Sequence, residues 1–330
     1  MSTIDAPAKD PFFSRSRLRV LFREKPIIPL LGMLAVLVAL SEIIRPGIVS
    51  LNWTGVIVRA AIPLAILAAA QTLTMLTAGI DLSVGAVASM TGFLVATLVG
   101  DQGLFVAILV ALVVAALVGL ISGIGTGVFK VHPLIMTLGM SFVVLGFANV
   151  WQLRMVQTGA GVPDALRWLG AGLWLDAIPH SLVLFVPLAA LIIFGLNRTG
   201  YGRLLYAIGD NPTAARLSGV RSWQVLVALY IIAAILAGIA GFLYSGLTNV
   251  ASVTLVDSQL LPSVAAAVIG GTSILGGRGG YGGTIVGALI LTVIASILSS
   301  LGYAEGVRQI LYGSIIVFVA AAYTRVTGEL

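Results

Sequence analysis

The sequence predicts an all-α, polytopic transmembrane helix bundle of about ten spans. Three observations carry this: an apolar composition, uncharged runs of membrane-crossing length, and basic residues gathered into a few connections. Of the 330 residues, 59% are hydrophobic and only 9% are charged, and the mean hydropathy is +1.11. Soluble domains carry about 25% charged residues, so a chain of this composition has lipid rather than water around most of its length. The runs 104–129 and 222–245 contain no charged residue. Each is long enough to cross a hydrocarbon core of about 30 Å as a helix. A β-barrel is excluded, because these runs do not alternate and exceed the roughly ten residues of a tilted strand.

The spans fall at about 26–44, 55–78, 82–99, 104–128, 133–150, 181–197, 222–245, 258–275, 282–301 and 304–323. A polar tail, 1–25, precedes them, the membrane domain covers 26–325, and a short tail, 326–330, follows. With the N-terminus inside, thirteen Lys and Arg residues lie on the cytoplasmic side and three (Arg45, Arg154 and Arg167) outside. That bias places both termini in the cytoplasm. No small-residue cleavage site lies between Glu42 and Gly55, so the first span reads as an uncleaved helix. Two regions invite a break. Gly79-Ile80-Asp81 is all that separates the second and third spans, and the eighth contains Pro262 and ends in glycines. Broken or re-entrant backbone is tolerated only where protein or a cavity replaces lipid.

Several function classes drop out. The net charge of +6 is spread over connections, as topology signals are, which argues against nucleic acid as a partner. With no cysteine, neither a disulfide framework nor a thiolate metal site can form. His132 and His180 stand far apart beside prolines, without ligand spacing, and read as structural loop residues. Gly277, Gly279 and Gly282 match Gly-x-Gly-x-x-Gly, but no strand precedes them and no βαβ unit is possible. The run also lacks the lysine and hydroxyl residue of a P-loop, so the chain is expected to bind neither a dinucleotide nor ATP through it. No nucleophile–base set emerges, and no residue is assigned a catalytic role.

The internal connection, 197–222, is the most informative stretch. Asp210 or Asn211 can cap a short helix with Pro212 in its first turn, and Gly219 can end it in a left-handed cap. A helix held rigidly against the membrane suits docking to another protein, since little force is lost to loop entropy; an ordinary interfacial helix would read the same. The external connection, 151–180, carries Trp151, Trp168 and Trp174, as an interfacial belt, a gate or a docking surface would.

In Gly79-Ile80-Asp81-Leu82-Ser83, a carboxylate between apolar spans is costly unless solvated or paired. Asp81 can cap the third helix, and it can also stand beside a solute path or at the coupling interface. Gln71, Thr72, Thr74, Asn149 and Gln309 can hydrogen-bond a hydroxylated solute or a neighbouring helix equally well. Arg59 and Arg308 lie near external helix ends and can snorkel; Glu305 and Arg308, one turn apart, can pair. The glycines of 270–283 suit a tight hairpin with Arg278 at its cytoplasmic tip, within reach of a partner. Small residues repeat every fourth position at Gly119, Gly123 and Gly127, at Ala237, Gly241 and Ser245, and at Gly283 and Gly287, as in closely packed membrane helices.

Four segments together resemble a known family. The runs 77–85 (Thr-Ala-Gly-Ile-Asp-Leu-Ser-Val-Gly), 133–140 (Pro-Leu-Ile-Met-Thr-Leu-Gly-Met), 200–219 and 270–277 follow, in order, the pattern of ribose- and galactoside-type permeases of ATP-binding-cassette (ABC) importers, over roughly 26–325. The resemblance implies a type II importer-like fold in the bacterial inner membrane and import of a monosaccharide or small polyol by alternating access. It implies as partners a second permease copy or paralogue, a cytoplasmic ABC ATPase that holds ATP and Mg, and a periplasmic solute-binding protein. It also implies an ATPase-coupling role for Arg203, Asp210, Asn211, Ala214, Arg216 and Gly219. A related branched-chain amino-acid permease and an ion-coupled secondary transporter are the competing readings. The Gly-Ile-Asp-Leu-Ser run looks more like the sugar branch, and intramembrane ionisable residues are few beyond Asp81 and Asp257.

Overall fold

The computed structural model describes residues 27–155 and 161–327. In chain order the helices are α1 (Ile27–Ile44), α2 (Leu51–Met75), α3 (Val84–Gln102), α4 (Leu104–Gly127), α5 (Pro133–Met155) and α6 (Asp164–Ala171). A hairpin of two-residue strands, β1 (Leu173–Trp174) and β2 (Ile178–Pro179), follows. Then come α7 (Leu182–Arg198), α8 (Gly200–Asp210), α9 (Pro212–Leu217), α10 (Ser222–Thr248), α11 (Leu260–Ile269), α12 (Tyr281–Ser300) and α13 (Glu305–Thr327). The protein is an all-α, multi-pass membrane bundle. Six of the inward-assigned basic residues, Lys9 to Lys25, lie outside the described residues.

Helix α2 is the axis. It is buried continuously from Ala61 to Met75, and Ala65, Ala68, Ala69 and Ala70 keep its girth small enough for neighbours on every side. The small-residue repeats are where backbones meet. On α4, a Cβ at Gly123 would lie 2.6 Å from the Val227 Cα of α10, and one at Gly127 would lie 3.0 Å from the Trp223 carbonyl. Gly241 of α10 faces Ala88 of α3, and Gly283 and Gly287 of α12 face Gly270 and Ala266. Away from these seams the surface is apolar, with Val36, Phe105, Ile135 and Leu191 all pointing outward. A lipid-facing perimeter has this composition.

Among the described residues, seven helices are long and apolar enough to cross a bilayer alone, and α7 turns by 66° into α8 after a one-residue break. The eighth expected span differs from its sequence reading. Across 258–275 the structure has a 3-10 turn, Asp257–Gln259, and then α11 of only 10 residues. At 1.5 Å per residue that is roughly 15 Å, half a bilayer. Pro262 falls in the first turn of α11, where its missing N–H disturbs no ladder. Gly271, at φ +90°, follows the helix end. The preceding connection is tied into the bundle instead, its Val256 N–H donating to Ser89 Oγ at 2.8 Å. Apolar composition alone cannot tell a whole span from a half-span buried by protein.

The α4–α10 seam makes a prediction. Gly123→Leu should overpack it at a cost of about 1–3 kcal/mol, visible as a lower thermal midpoint in detergent. Gly139→Ala, with open space around its Cα, should change the midpoint little.

Candidate functional site

The sequence-predicted residues of 197–222 form one projecting hairpin. Two helices replace the single one expected. Thr199 caps α8, its Oγ1 accepting from the Gly202 N–H at 3.2 Å. Asp210 ends α8, and Asn211 is the cap of α9, its Oδ1 accepting from the Ala214 N–H at 2.9 Å with Pro212 in the first turn. The Ser218 N–H returns to the Ala214 carbonyl at 2.9 Å and the Val220 N–H to that of Ala215 at 3.1 Å. Gly219 supplies the positive φ, +85°, that such a helix end requires. Arg203, Asp210, Asn211, Ala214, Arg216 and Gly219 are all solvent-exposed, while Ala215 faces inward and seats α9. Leu217 is 83% exposed at the tip.

Beneath the hairpin lies a joint made of main chain. The Gly277 N–H donates to the Leu76 carbonyl, just past α2, at 3.0 Å. Gly209 of α8 lies directly against this pair, and a Cβ there would run into both groups. The Tyr206 O–H donates to the Gly279 carbonyl at 2.9 Å. The turn holding these glycines is closed by the Ser273 N–H donating to the Arg278 carbonyl at 2.9 Å. Gly276, Gly277 and Gly279 have φ of +89°, +70° and +138°, conformations that side chains resist. Arg278 stands exposed on this turn. Three of the sequence-predicted segments therefore meet at one end of the bundle.

The segment 76–83 folds back along α2. Gln71, fully buried, grips the Asp81 backbone at both ends: its Nε2 donates to the Asp81 carbonyl at 2.7 Å and its Oε1 accepts from the Asp81 N–H at 3.3 Å. The Asp81 carboxylate accepts from the Ser83 N–H at 2.8 Å and the Ser83 hydroxyl at 2.6 Å, closing the turn into α3. From α5, Thr137 Oγ1 accepts from the Leu82 N–H at 3.0 Å and donates at 3.2 Å to the Ile80 carbonyl. At Gly79, a Cβ would stand 3.0 Å from the Tyr230 hydroxyl. Thr74 bonds back to carbonyls of its own helix, and Thr72 Oγ1 meets Thr284 Oγ1 of α12 at 2.7 Å.

Gln71, Thr74, Gly79, Asp81 and Ser83 thus share one buried cluster. Asn149 and Gln309 stand apart, exposed on α5 and α13. Sequence reasoning passed over Gly209, Tyr206 and Leu76. A glycine interrupting the apolar spacing of α8 was the available signal for the first; nothing local marks the other two.

The opposite end carries the aromatic residues. Trp168 and Trp174 flank His180, with ring centroids 4.3 and 4.4 Å from it, and the His180 Nδ1 lies 2.9 Å from the Trp168 carbonyl. The Trp151 Nε1–H donates to Thr97 Oγ1 at 3.1 Å. The Arg59 guanidinium donates to the Ala171 carbonyl, which ties α2 to this cap. Glu305 and Arg308 pair at 2.8 Å, the one-turn pairing anticipated.

The apolar perimeter, the buried polar breaks and the exposed hairpin at one end define a multi-pass membrane protein. Residues 54–320 match the family described as branched-chain amino acid transport system / permease component, and the chain belongs to it. Its curated relatives bear out the resemblance read from the sequence. It is 31% identical to the fructose import permease protein of Rhizobium meliloti, covering 89% of this chain and 84% of the relative. It is 34% identical to the ribose import permease protein of Bacillus subtilis, covering 90% of this chain and 92% of the relative. The ribose import permease protein of Escherichia coli K12 is 33% identical, again over 90% and 92%. No solved structure matches the chain.

The Gln71 clamp is testable. Gln71→Leu leaves the buried Asp81 N–H and C=O without partners, at roughly 1–3 kcal/mol each. The purified variant should unfold several degrees below the parent chain, and proteolysis should cut first near 76–83. Gln71→Glu, which keeps the shape but loses the donor, should fall in the same direction.

Proposed function

We propose that this chain is the membrane subunit of an ATP-driven importer for a neutral monosaccharide in the bacterial inner membrane, with both termini in the cytoplasm. It works as a dimer with a second permease copy or paralogue, two ABC ATPase subunits inside and a solute-binding protein outside. ATP and Mg belong to the ATPase. The permease itself breaks no covalent bond.

The observation that carries this reading is the α8–α9 hairpin. Its outer surface is exposed and sets Arg203, Asp210, Asn211 and Arg216 beside the apolar tip at Leu217, and its inner surface rests on main chain at the end of α2 and in the turn between α11 and α12. Closure of the ATPase pair would push on Asp210, Asn211, Ala214 and Arg216. Because Gly209 lets α8 touch the Leu76–Gly277 pair with no side chain between, the displacement reaches α2 and α12 without being absorbed by rotamer changes. Tilting those helices alternately opens the two ends, and the Gln71–Asp81 clamp moves α3 with α2. Gln71, Thr74, Asp81, Asn149 and Gln309 remain candidates for the path in the conformations this cycle visits, and Arg278 for a second ATPase contact.

The family description itself favours a second cargo, a branched-chain amino acid. The names of the relatives, import permeases for ribose and fructose, favour a sugar. Uptake of labelled ribose, fructose and leucine by cells carrying the complete importer decides between them: sugar uptake without leucine uptake is the expected result. The coupling assignment has its own test. Asp210→Lys with Arg216→Glu should abolish transport and co-purification with the ATPase while membrane insertion stays at the parent level. Normal transport by the double variant would remove the hairpin from the mechanism.

A further inference from the structure

The two ends of the bundle are charged differently. Both ion pairs among the described residues, Asp164–Arg167 and Glu305–Arg308, lie at the end that carries the tryptophan cap. At the hairpin end, Asp210 is the one exposed acid among the described residues. Arg203, Arg216 and Arg278 belong to the face already described there. Lys130 and Arg221 stand apart from it, exposed where the end of α4 meets the start of α10. A Cβ at Gly127 would lie 3.0 Å from the Trp223 carbonyl and 3.1 Å from its Cα, so these two stretches of chain touch. Neither cation is paired with an acid among the described residues.

Both are carried on fixed backbone. Lys130 sits at φ +56°, in a turn closed by the Phe129 N–H donating to the Ile124 carbonyl at 3.1 Å and the Val131 N–H to that of Gly125 at 3.0 Å. Arg221 is the cap of α10, its carbonyl accepting from the Gln224 N–H at 3.0 Å. The surface beside them is apolar: Phe129 is 74% exposed and Trp223 48%. Val128, Ile121 and Leu117 continue it as one outward face of α4. With 24 residues, α4 is roughly 36 Å long. That exceeds a hydrocarbon core of about 30 Å, so its last turn emerges among the headgroups. An indole at this level is the usual occupant of a membrane interface.

We propose that the corner formed by Lys130, Arg221, Phe129 and Trp223 binds the headgroup of an anionic phospholipid. The two cations share its phosphodiester, and an acyl chain runs along Val128, Ile121 and Leu117. A soluble anion would satisfy the charges and leave the aromatic pair and the α4 face uncovered. A protein arriving from water would have to enter the headgroup layer to cover Phe129. Only an amphipathic molecule with a negative head meets both halves of the surface, and the membrane supplies one. Each Lys or Arg near an anionic surface is worth about fivefold in binding, so two on one phosphodiester select strongly against a neutral lipid. The site also lies at the foot of the hairpin. Arg221 follows the Gly219 turn, and the Tyr201 hydroxyl of α8 donates to the Val225 carbonyl of α10 at 3.0 Å. A bound lipid therefore braces the chain just where α9 returns to the bundle.

Trp223 reports on the site directly. The full chain is reconstituted in phosphatidylcholine vesicles that contain, at equal mole fraction, phosphatidylglycerol or phosphatidylcholine with brominated acyl chains. Emission from Trp223 is isolated as the difference between the parent chain and Trp223→Phe. Brominated phosphatidylglycerol should quench it at least about threefold more strongly than brominated phosphatidylcholine, and added salt should shrink the difference. Lys130→Asn with Arg221→Ser should equalise the two lipids. Asn tolerates the positive φ at 130 and Ser is a good helix cap, so this pair removes charge while suiting the backbone. Lys130→Arg, and Arg45→Gln at the opposite end, should each keep the preference. Equal quenching of the parent chain by the two lipids overturns the site, as does a preference that survives in the double variant. Should the double variant fail to insert, Lys130→Asn alone must at least halve the preference, and an unchanged one overturns the site. Loss of the preference in Arg45→Gln would make it a property of overall charge and overturn the assignment. Displacement of the brominated lipid by an added ATPase subunit would make the corner a protein contact, and the lipid assignment falls.

Discussion

In hydrocarbon, a backbone N–H or C=O without a partner costs several kcal/mol, so wherever this chain leaves the helix another part of the protein must supply that partner. Two breaks satisfy the constraint in different ways. At 76–83 a side chain does the work: Gln71 reaches one turn back from the end of α2 and occupies both backbone groups of Asp81, with Thr137 serving Ile80 and Leu82. At 249–259 the chain dips in from the opposite end and is caught by Ser89. Each break then becomes useful. The first joins α2 to the hairpin, and the second ties the approach to the short α11 onto α3.

Much of this was legible in the sequence, and for identifiable reasons. Helices in lipid announce themselves by apolar length, and nearly all were found within a few residues. The cap at Asn211, Pro212 and Gly219 is local chemistry, set by residues within eight positions of one another, and it formed as the spacing indicated. The glycine repeats on α4, α10 and α12 became seams because a missing Cβ has one main use between packed helices.

What stayed hidden depended on depth and on distant partners. A buried polar residue such as Gln71 reads the same whether it lines a path or braces a loop, since both need an amide in a helix. Pro262 and the glycines signalled a break in 258–275, but the half-length of α11 itself was not legible, because its apolar residues face protein instead of lipid and hydropathy does not distinguish the two. The joint at Leu76, Gly209 and Gly277 unites residues from three segments far apart in the chain, and it uses backbone atoms that any residue possesses.

That last property has a consequence for how such transporters diversify. A contact built from main chain is indifferent to which side chains decorate the outside of α9. The exposed surface of the hairpin can therefore be rewritten, residue by residue, while the joint beneath keeps its fit. Permeases of this design can vary their projecting face, by natural drift or by grafting, without repacking the helices that anchor it.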